Sequence, residues 1–185
     1  MLIFILMMII TAINLGSFNT SKHLLANYTN NKKIDIACVS ESFEHNDNLK
    51  MYGWEFLSKP RPARTDEKNP HGGVAIFTKV SVKVKPGKLL NLNCPDIEMV
   101  CCETMSDNTK FLLVCVYILT SAEMTKLCKW MEQLDSTRYP NVMICGDFNA
   151  HHTHWDSNYR SKTNLIGDTK GKILFECTGW PLFFF

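Results

Sequence analysis

Apolar residues fall along this chain in short unbroken runs separated by polar turns, and helical spacing is confined to a few stretches. The runs 34–40, 73–78, 97–102, 111–119 and 141–145 are rich in β-branched and other apolar side chains, the pattern of strands covered on both faces. Ser106-Asp107-Asn108-Thr109 reads as a turn between 97–105 and 111–119, so those two are expected to pair as an antiparallel hairpin. The wholly apolar stretch 1–10 is read as a buried first strand. A signal or anchor is the competing reading. Against it, no Lys or Arg precedes the stretch, it is shorter than the roughly 20 residues of a membrane span, and it runs into Thr11-Ala12-Ile13-Asn14 without a clear cleavage site.

Leu127, Trp130, Met131 and Leu134 recur at helical spacing behind Ser121, a candidate N-cap, which predicts an amphipathic helix over 122–136. A second helix is expected between Ser17 and Asn30 with Leu24, Leu25 and Tyr28 on one face, and a third near 171–176. Residues 59–71, with Pro60, Pro62 and Pro70, read as an exposed loop. Strands thus come in two batches with helices outside them, and hairpins are mixed with crossovers. That favours a layered α/β sandwich over a doubly wound parallel sheet.

The whole chain, 1–185, reads as one domain without repeats or low-complexity linkers. With 45% hydrophobic and 21% charged residues it has the balance of a folded globular protein, which excludes disorder for most of it. The net charge of +2 excludes a global basic excess, so contact with nucleic acid must come from local groups. Lys59, Arg61, Arg64 and Lys68 form one candidate group and Lys79, Lys83, Lys85 and Lys88 another; solvated surface is the alternative for both. Cys38, Cys102, Cys115 and Cys145 lie inside apolar runs, and no Cys-x-x-Cys pair exists among the eight cysteines. They read as small buried hydrophobes in a reducing compartment, cytosol or nucleus, with neither a zinc site nor a secreted disulfide framework.

The most informative segment is Val142-Met143-Ile144-Cys145-Gly146-Asp147-Phe148-Asn149-Ala150. An apolar strand ends at a glycine, then a carboxylate and an amide follow two residues apart and can face the same side. Asp147 can hold or deprotonate an attacking water, and the Asn149 amide can donate to a phosphate oxygen as charge grows there. Ordinary turn formation explains the same residues equally well. The strand 34–40 delivers Glu41 at its end, where hard carboxylate oxygens suit Mg²⁺, and Asn14 follows another apolar strand.

Taken in order, Asn14, Ser40-Glu41, Gly72-Gly73-Val74-Ala75-Ile76-Phe77, Val116-Tyr117 and Gly146-Asp147-Phe148-Asn149-Ala150-His151-His152 resemble the endonuclease/exonuclease/phosphatase superfamily. More narrowly, the chain resembles the apurinic-endonuclease-type domain of insect non-long-terminal-repeat retrotransposons of the jockey kind, over about residues 10–176. The resemblance implies a four-layered αββα sandwich of two mixed sheets flanked by helices, and Mg²⁺- or Mn²⁺-assisted nicking of DNA to prime reverse transcription. It implies metal binding by Glu41 and Asn14 and catalysis by Asp147, Asn149 and Tyr117, although Ile118-Leu119-Thr120 departs from the family's proline-containing continuation. The partners implied are DNA and a reverse-transcriptase domain in a full-length element, with no membrane and no zinc. His151, His152 and His154 lack the spacing of a zinc-protease helix, so His152 and Trp155 are assigned to a loop lining the DNA groove.

Family members end with a further Asp and a Ser-Asp-His segment that supplies an active-site histidine, and no Ser-Asp-His occurs in this chain. The domain is therefore expected to be incomplete at its C-terminus, with little or no nicking activity. A non-catalytic nucleic-acid-binding or inert retroelement remnant is the alternative function, and a superfamily phosphatase acting on a small molecule or lipid is another.

Overall fold

The computed structural model describes residues 2–5, 8–42, 50–59, 61, 72–87, 94–106, 108–134, 137–155 and 166–178. Its elements in chain order are β1 (Leu2–Ile5), β2 (Met8–Asn14), α1 (Phe18–Asn31), β3 (Ile36–Ser40), β4 (Trp54–Lys59), β5 (Val74–Lys79), β6 (Val84–Pro86), β7 (Ile97–Ser106), β8 (Thr109–Ile118), α2 (Met124–Glu132), β9 (Val142–Asp147) and α3 (Thr169–Thr178). They form a five-stranded sheet ordered β1-β2-β3-β5-β4 and a four-stranded sheet ordered β6-β7-β8-β9.

Each sheet contains one parallel pair joined by a helix: β2 and β3 through α1, and β8 and β9 through α2. The other pairings are antiparallel, including the expected hairpin of β7 with β8. The sheets are therefore mixed, and each brings the carboxyl ends of a parallel pair to one edge. Such ends are where α/β sheets place their ligands.

Three apolar layers hold the elements together. Between the sheets, Ile10, Ala12, Ile36, Cys38, Val74 and Ile76 meet Cys102, Leu113, Cys115 and Cys145. On the outside of the first sheet, Phe18 and Leu25 of α1 cover Ala37, Val39, Ala75 and Phe77, and Phe18 stacks on Phe77 with centroids 5.2 Å apart. Outside the second sheet, Leu127 and Trp130 of α2 and Leu174 of α3 cover Leu112, Val114, Val116 and Ile144. Consecutive strand residues therefore enter different apolar layers, which is why β3 and β8 read as unbroken apolar runs. The four-layered αββα sandwich implied by the resemblance is present.

The local expectations fare unevenly. The apolar N-terminus forms two strands, with β1 antiparallel to β2 and Ile5 opposite Met8, where the sequence reading has one. Leu24 is 69% exposed and leaves the core face of α1 to Phe18, Leu25 and Thr29. The second helix starts from Glu123 with no side-chain cap, so Ser121 does not cap it, and it ends at Glu132. Strands β4 and β6 were not anticipated. Of the expected loop 59–71, Lys59 ends β4 and Arg61 is described, while residues 60 and 62–71 lie outside the described residues. Cys38, Cys102, Cys115 and Cys145 are buried free thiols as read, but Cys128 on α2 is disulfide-bonded, which the cysteine spacings had not indicated. Among the described residues, no helix is long and apolar enough to cross a membrane.

Candidate active site

At the edge where the parallel pairs end, Asn14 of β2 lies opposite Ser40 of β3, and Glu41 is the next residue. In the other sheet Glu98, Tyr117 and Asp147 form one row across β7, β8 and β9. At this edge two hydrogen bonds between side chains bridge the sheets. The Asn14 amide donates through Nδ2 to Asp147 Oδ2 at 2.9 Å, and the Tyr117 hydroxyl donates to Glu41 Oε1 at 2.7 Å. Asp147 Oδ1 also accepts the backbone N–H of Asn149 at 2.9 Å, and Asn149 Nδ2 donates to the Ile118 carbonyl at 2.8 Å. Asn14 Oδ1 accepts the N–H of Gly16 at 3.0 Å. Five sequence-designated residues, Asn14, Glu41, Tyr117, Asp147 and Asn149, are thus linked through one another or through adjacent positions in the row.

The backbone is unusual where these residues sit. Glu41 and Asn149 adopt left-handed φ values of 54° and 46°, a conformation that costs an L side chain on the order of 1–3 kcal/mol and recurs at functional sites. Gly146, at φ 136°, precedes Asp147, and a Cβ there would stand 2.0 Å from the Val116 carbonyl oxygen. A bare backbone at this point lets β9 close against β8 just before the carboxylate.

Residues 111–178 match a family model described as endonuclease-reverse transcriptase. The chain superposes on the endonuclease domain of TRAS1, a telomere-specific non-LTR retrotransposon, with TM-score 0.64 and 19% identity, covering 91% of this chain and 68% of that one. An apurinic endonuclease from Leishmania major gives TM-score 0.64 at 14% identity, covering 90% of this chain and 64% of that one. One from Archaeoglobus fulgidus gives TM-score 0.58 at 16% identity, with 92% and 69% covered. The fold is that of the endonuclease/exonuclease/phosphatase superfamily. The resemblance read from the sequence, to this superfamily and to its retrotransposon endonuclease domains, is supported by the family match and by the structural likeness. No curated protein sequence matches the chain.

Within this endonuclease/exonuclease/phosphatase fold, the cluster offers hard oxygen donors. Glu41 is half-buried, and its Oε2 has no hydrogen bond among the described residues. The Asn14 carbonyl stands on the same sheet as Glu41, and the Asp147 carboxylate faces them from the other sheet. Among the described residues, no group of three or more His, Cys, Asp or Glu side chains could hold a metal ion. Mg²⁺ characteristically binds through one or two carboxylates plus substrate phosphate and keeps several waters. The donor set fits Mg²⁺ or Mn²⁺. The Tyr117 hydroxyl is pushed well above the ordinary tyrosine range, first by burial and then by its hydrogen bond to Glu41. At neutral pH it is a protonated donor.

His152 packs against α3 and Trp155 against His152. His152 is only 5% exposed and stacks on Phe175 of α3 with centroids 4.6 Å apart and planes 13° from parallel. Trp155 lies 4.9 Å from the His152 ring and donates through Nε1 to the Ala150 carbonyl at 3.3 Å. His152 Nδ1 accepts the N–H of His154 at 3.1 Å, so the ring is neutral in this arrangement. Burial lowers its pKa, helped by His154 and Lys172 and opposed by Asp168. Two residues beyond the designated catalytic, metal and groove residues lie beside these. Glu98 is buried opposite Tyr117, and Arg61 is ion-paired with it. A carboxylate between Ile97 and Met99 was the available signal, because a charge inside an apolar strand requires a partner.

Proposed function

We propose that this chain is a divalent-metal-dependent DNA phosphodiesterase domain of a retroelement, of the kind that nicks a target strand to prime reverse transcription. The observation that carries the reading is the convergence of Glu41 and Tyr117 with Asn14, Asp147 and Asn149 across two sheets. Glu41 and Asn14 would hold Mg²⁺ or Mn²⁺. Asp147 orients a water and takes its proton as the water attacks phosphorus; the P–O3′ bond breaks, and the departing O3′ takes a proton from solvent water, leaving a 3′ hydroxyl and a 5′ phosphate. When bound, the cation would supply Lewis acidity toward the phosphate and the departing oxygen. Asn149 Nδ2 and the Tyr117 hydroxyl donate to phosphate oxygens, exchanging their present acceptors, the Ile118 carbonyl and Glu41, for the substrate. The family description supports a link to a reverse transcriptase.

The test is Mn²⁺ binding followed by electron paramagnetic resonance, together with duplex DNA affinity with and without the ion. One saturable site that strengthens DNA binding is expected, lost in Glu41→Gln and weakened in Asp147→Asn. Binding of Mn²⁺ that is indifferent to Glu41→Gln refutes the reading. A second reading has one observation in its favour: both Asp147 oxygens are already engaged, and no histidine shares in these hydrogen bonds among the described residues. It makes the chain a nucleic-acid-binding remnant, distinguished by metal-strengthened DNA binding with no relaxation of supercoiled plasmid.

A further inference from the structure

Arg61 is drawn beneath the site. Its side chain is 9% exposed and ion-paired through Nε with Glu98, itself 7% exposed. The other Glu98 oxygen accepts the Gly73 N–H at 2.5 Å. The guanidinium carbon lies 5.6 Å from the centroid of the Tyr117 ring, whose hydroxyl donates to Glu41. Gly72, at φ 112°, makes room for it, because a Cβ there would come within 2.6 Å of the guanidinium. With all this, Arg61 Nη2 is buried and has no hydrogen-bond partner among the described residues.

Glu98 occupies one edge of the planar fork and the Tyr117 ring lies beside it, so the guanidinium is held in place while one donor stays unsatisfied. A buried donor of this kind is costly unless an acceptor arrives, and a charged donor most of all. Guanidinium groups favour oxyanions, carboxylate and phosphate alike, because their fork matches the spacing of the paired oxygens. Among the described residues the carboxylates nearby are engaged elsewhere: Glu98 with Arg61 and Gly73, Glu41 with Tyr117, and Asp147 with Asn14 and Asn149. An acceptor suited to this donor is therefore an oxyanion brought in by a ligand.

We propose that Arg61 is a phosphate-binding residue of this site, its Nη2 donating to a backbone phosphate oxygen of the bound DNA strand while Glu98 and Tyr117 fix the guanidinium. The inference rests on the DNA reading above and adds the residue that grips the strand. A purely structural Arg61–Glu98 pair is the competing account, and the salt dependence of binding separates the two. Each phosphate contact contributes about 0.9 to the slope of log affinity against log salt, whereas an internal ion pair contributes nothing.

The experiment measures binding of a fluorescent duplex in EDTA over a range of KCl concentrations. The double variant Arg61→Gln/Glu98→Gln removes one charge of each sign and leaves the net charge unchanged. It is expected to bind on the order of ten-fold more weakly at low salt, with a slope shallower by about 0.9. Arg61→Lys keeps the buried pair but spends its single ammonium on Glu98, so it serves as the measurement if the double variant does not fold; the same shallower slope is expected. A wild-type slope in either variant, with unchanged circular dichroism, overturns the role of Arg61 alone. Wild-type chain whose DNA binding is absent or indifferent to salt overturns the DNA reading and this inference together.

Discussion

Gly146→Ala tests the claim that the approach of β9 to β8 sets the position of Asp147. The added Cβ would stand 2.0 Å from the Val116 carbonyl oxygen and 2.9 Å from its carbon and nitrogen, all backbone atoms that no side-chain rotation can move aside. The strands would have to part until that contact reached the ordinary range of 3.4–4 Å, and Val116 is fully buried beneath α2. Overpacking of this kind costs about 1–3 kcal/mol, and more against rigid backbone. The φ of 136° adds strain of about 1–3 kcal/mol for an L residue. Together these predict a loss of about 3–5 kcal/mol, a large share of a typical domain's stability. With a urea slope of about 2 kcal/mol/M the unfolding midpoint should fall by roughly 2 M. Gly16→Ala is the control, since its φ is 64° with nothing within 4 Å of the added carbon. It should cost about 1 kcal/mol, the conformational penalty alone. Equal midpoints for the two alanine variants, followed by circular dichroism in urea, would refute the reasoning, because they would show that close strand approach contributes nothing at Gly146.

Phe18→Ala empties the stack on Phe77 under α1, where Phe18 is 1% exposed, and should cost about 3–5 kcal/mol in the same urea experiment. Asn149→Gly relieves a φ of 46°, worth about 1 kcal/mol, and loses the hydrogen bond to Ile118 O, also about 1 kcal/mol. Stability should therefore stay near wild type while metal-strengthened DNA binding declines, which paired urea and binding titrations would check. His152 has its pKa lowered by burial in the folded chain, so the unfolded chain binds this proton more tightly. Its contribution to stability is complete above the unfolded imidazole value of about 6.5 and is lost as pH falls through the folded value. His152→Phe keeps an aromatic ring against Phe175 and should flatten the fall in urea midpoint between about pH 7 and 5; an unchanged pH profile would place the acid sensitivity elsewhere.

The strands of the two sheets were legible because residues such as Ile36 and Ala37, or Val114 and Cys115, are buried on opposite faces. Continuous apolar runs are what a covered sheet demands. The same property hid the reversal between β1 and β2, since an apolar run carries no mark of where it turns back. Leu24 and Leu25 are adjacent on α1 and so point in directions about 100° apart, and only Leu25 can reach the sheet. β4 escaped notice because, as an edge strand pairing only with β5, it is partly exposed along its length and mixes Glu55 and Ser58 with its apolar residues. In the candidate site, Asp147 and Glu41 stood out as polar groups at the ends of apolar strands. Arg61 is marked in the sequence only as one of four basic residues that could meet nucleic acid or form solvated surface, and only the fold brings it to Glu98. The burial of His152 was equally hidden, since the ring that covers it comes from α3.

Neither sheet alone holds the cluster. Asn14 and Glu41 belong to the first sheet and Asp147 and Tyr117 to the second, and each of the two bridging hydrogen bonds has one partner on either side. Their lengths therefore depend on the separation of the sheets, which the apolar layer of Cys38, Ile76, Leu113, Cys115 and Cys145 sets directly behind them. Among the described residues four non-glycine positions have left-handed φ, and two of them, Glu41 and Asn149, are in this cluster. Strained backbone of that kind persists only where the surrounding packing overdetermines it. The inter-sheet core thus does more than stabilise the chain: it holds two strained residues and two cross-sheet hydrogen bonds in register. Interior cavities relax only partly when side chains shrink, so a volume change at Cys115 or Cys38 would reach Asp147 and Glu41 together rather than one at a time.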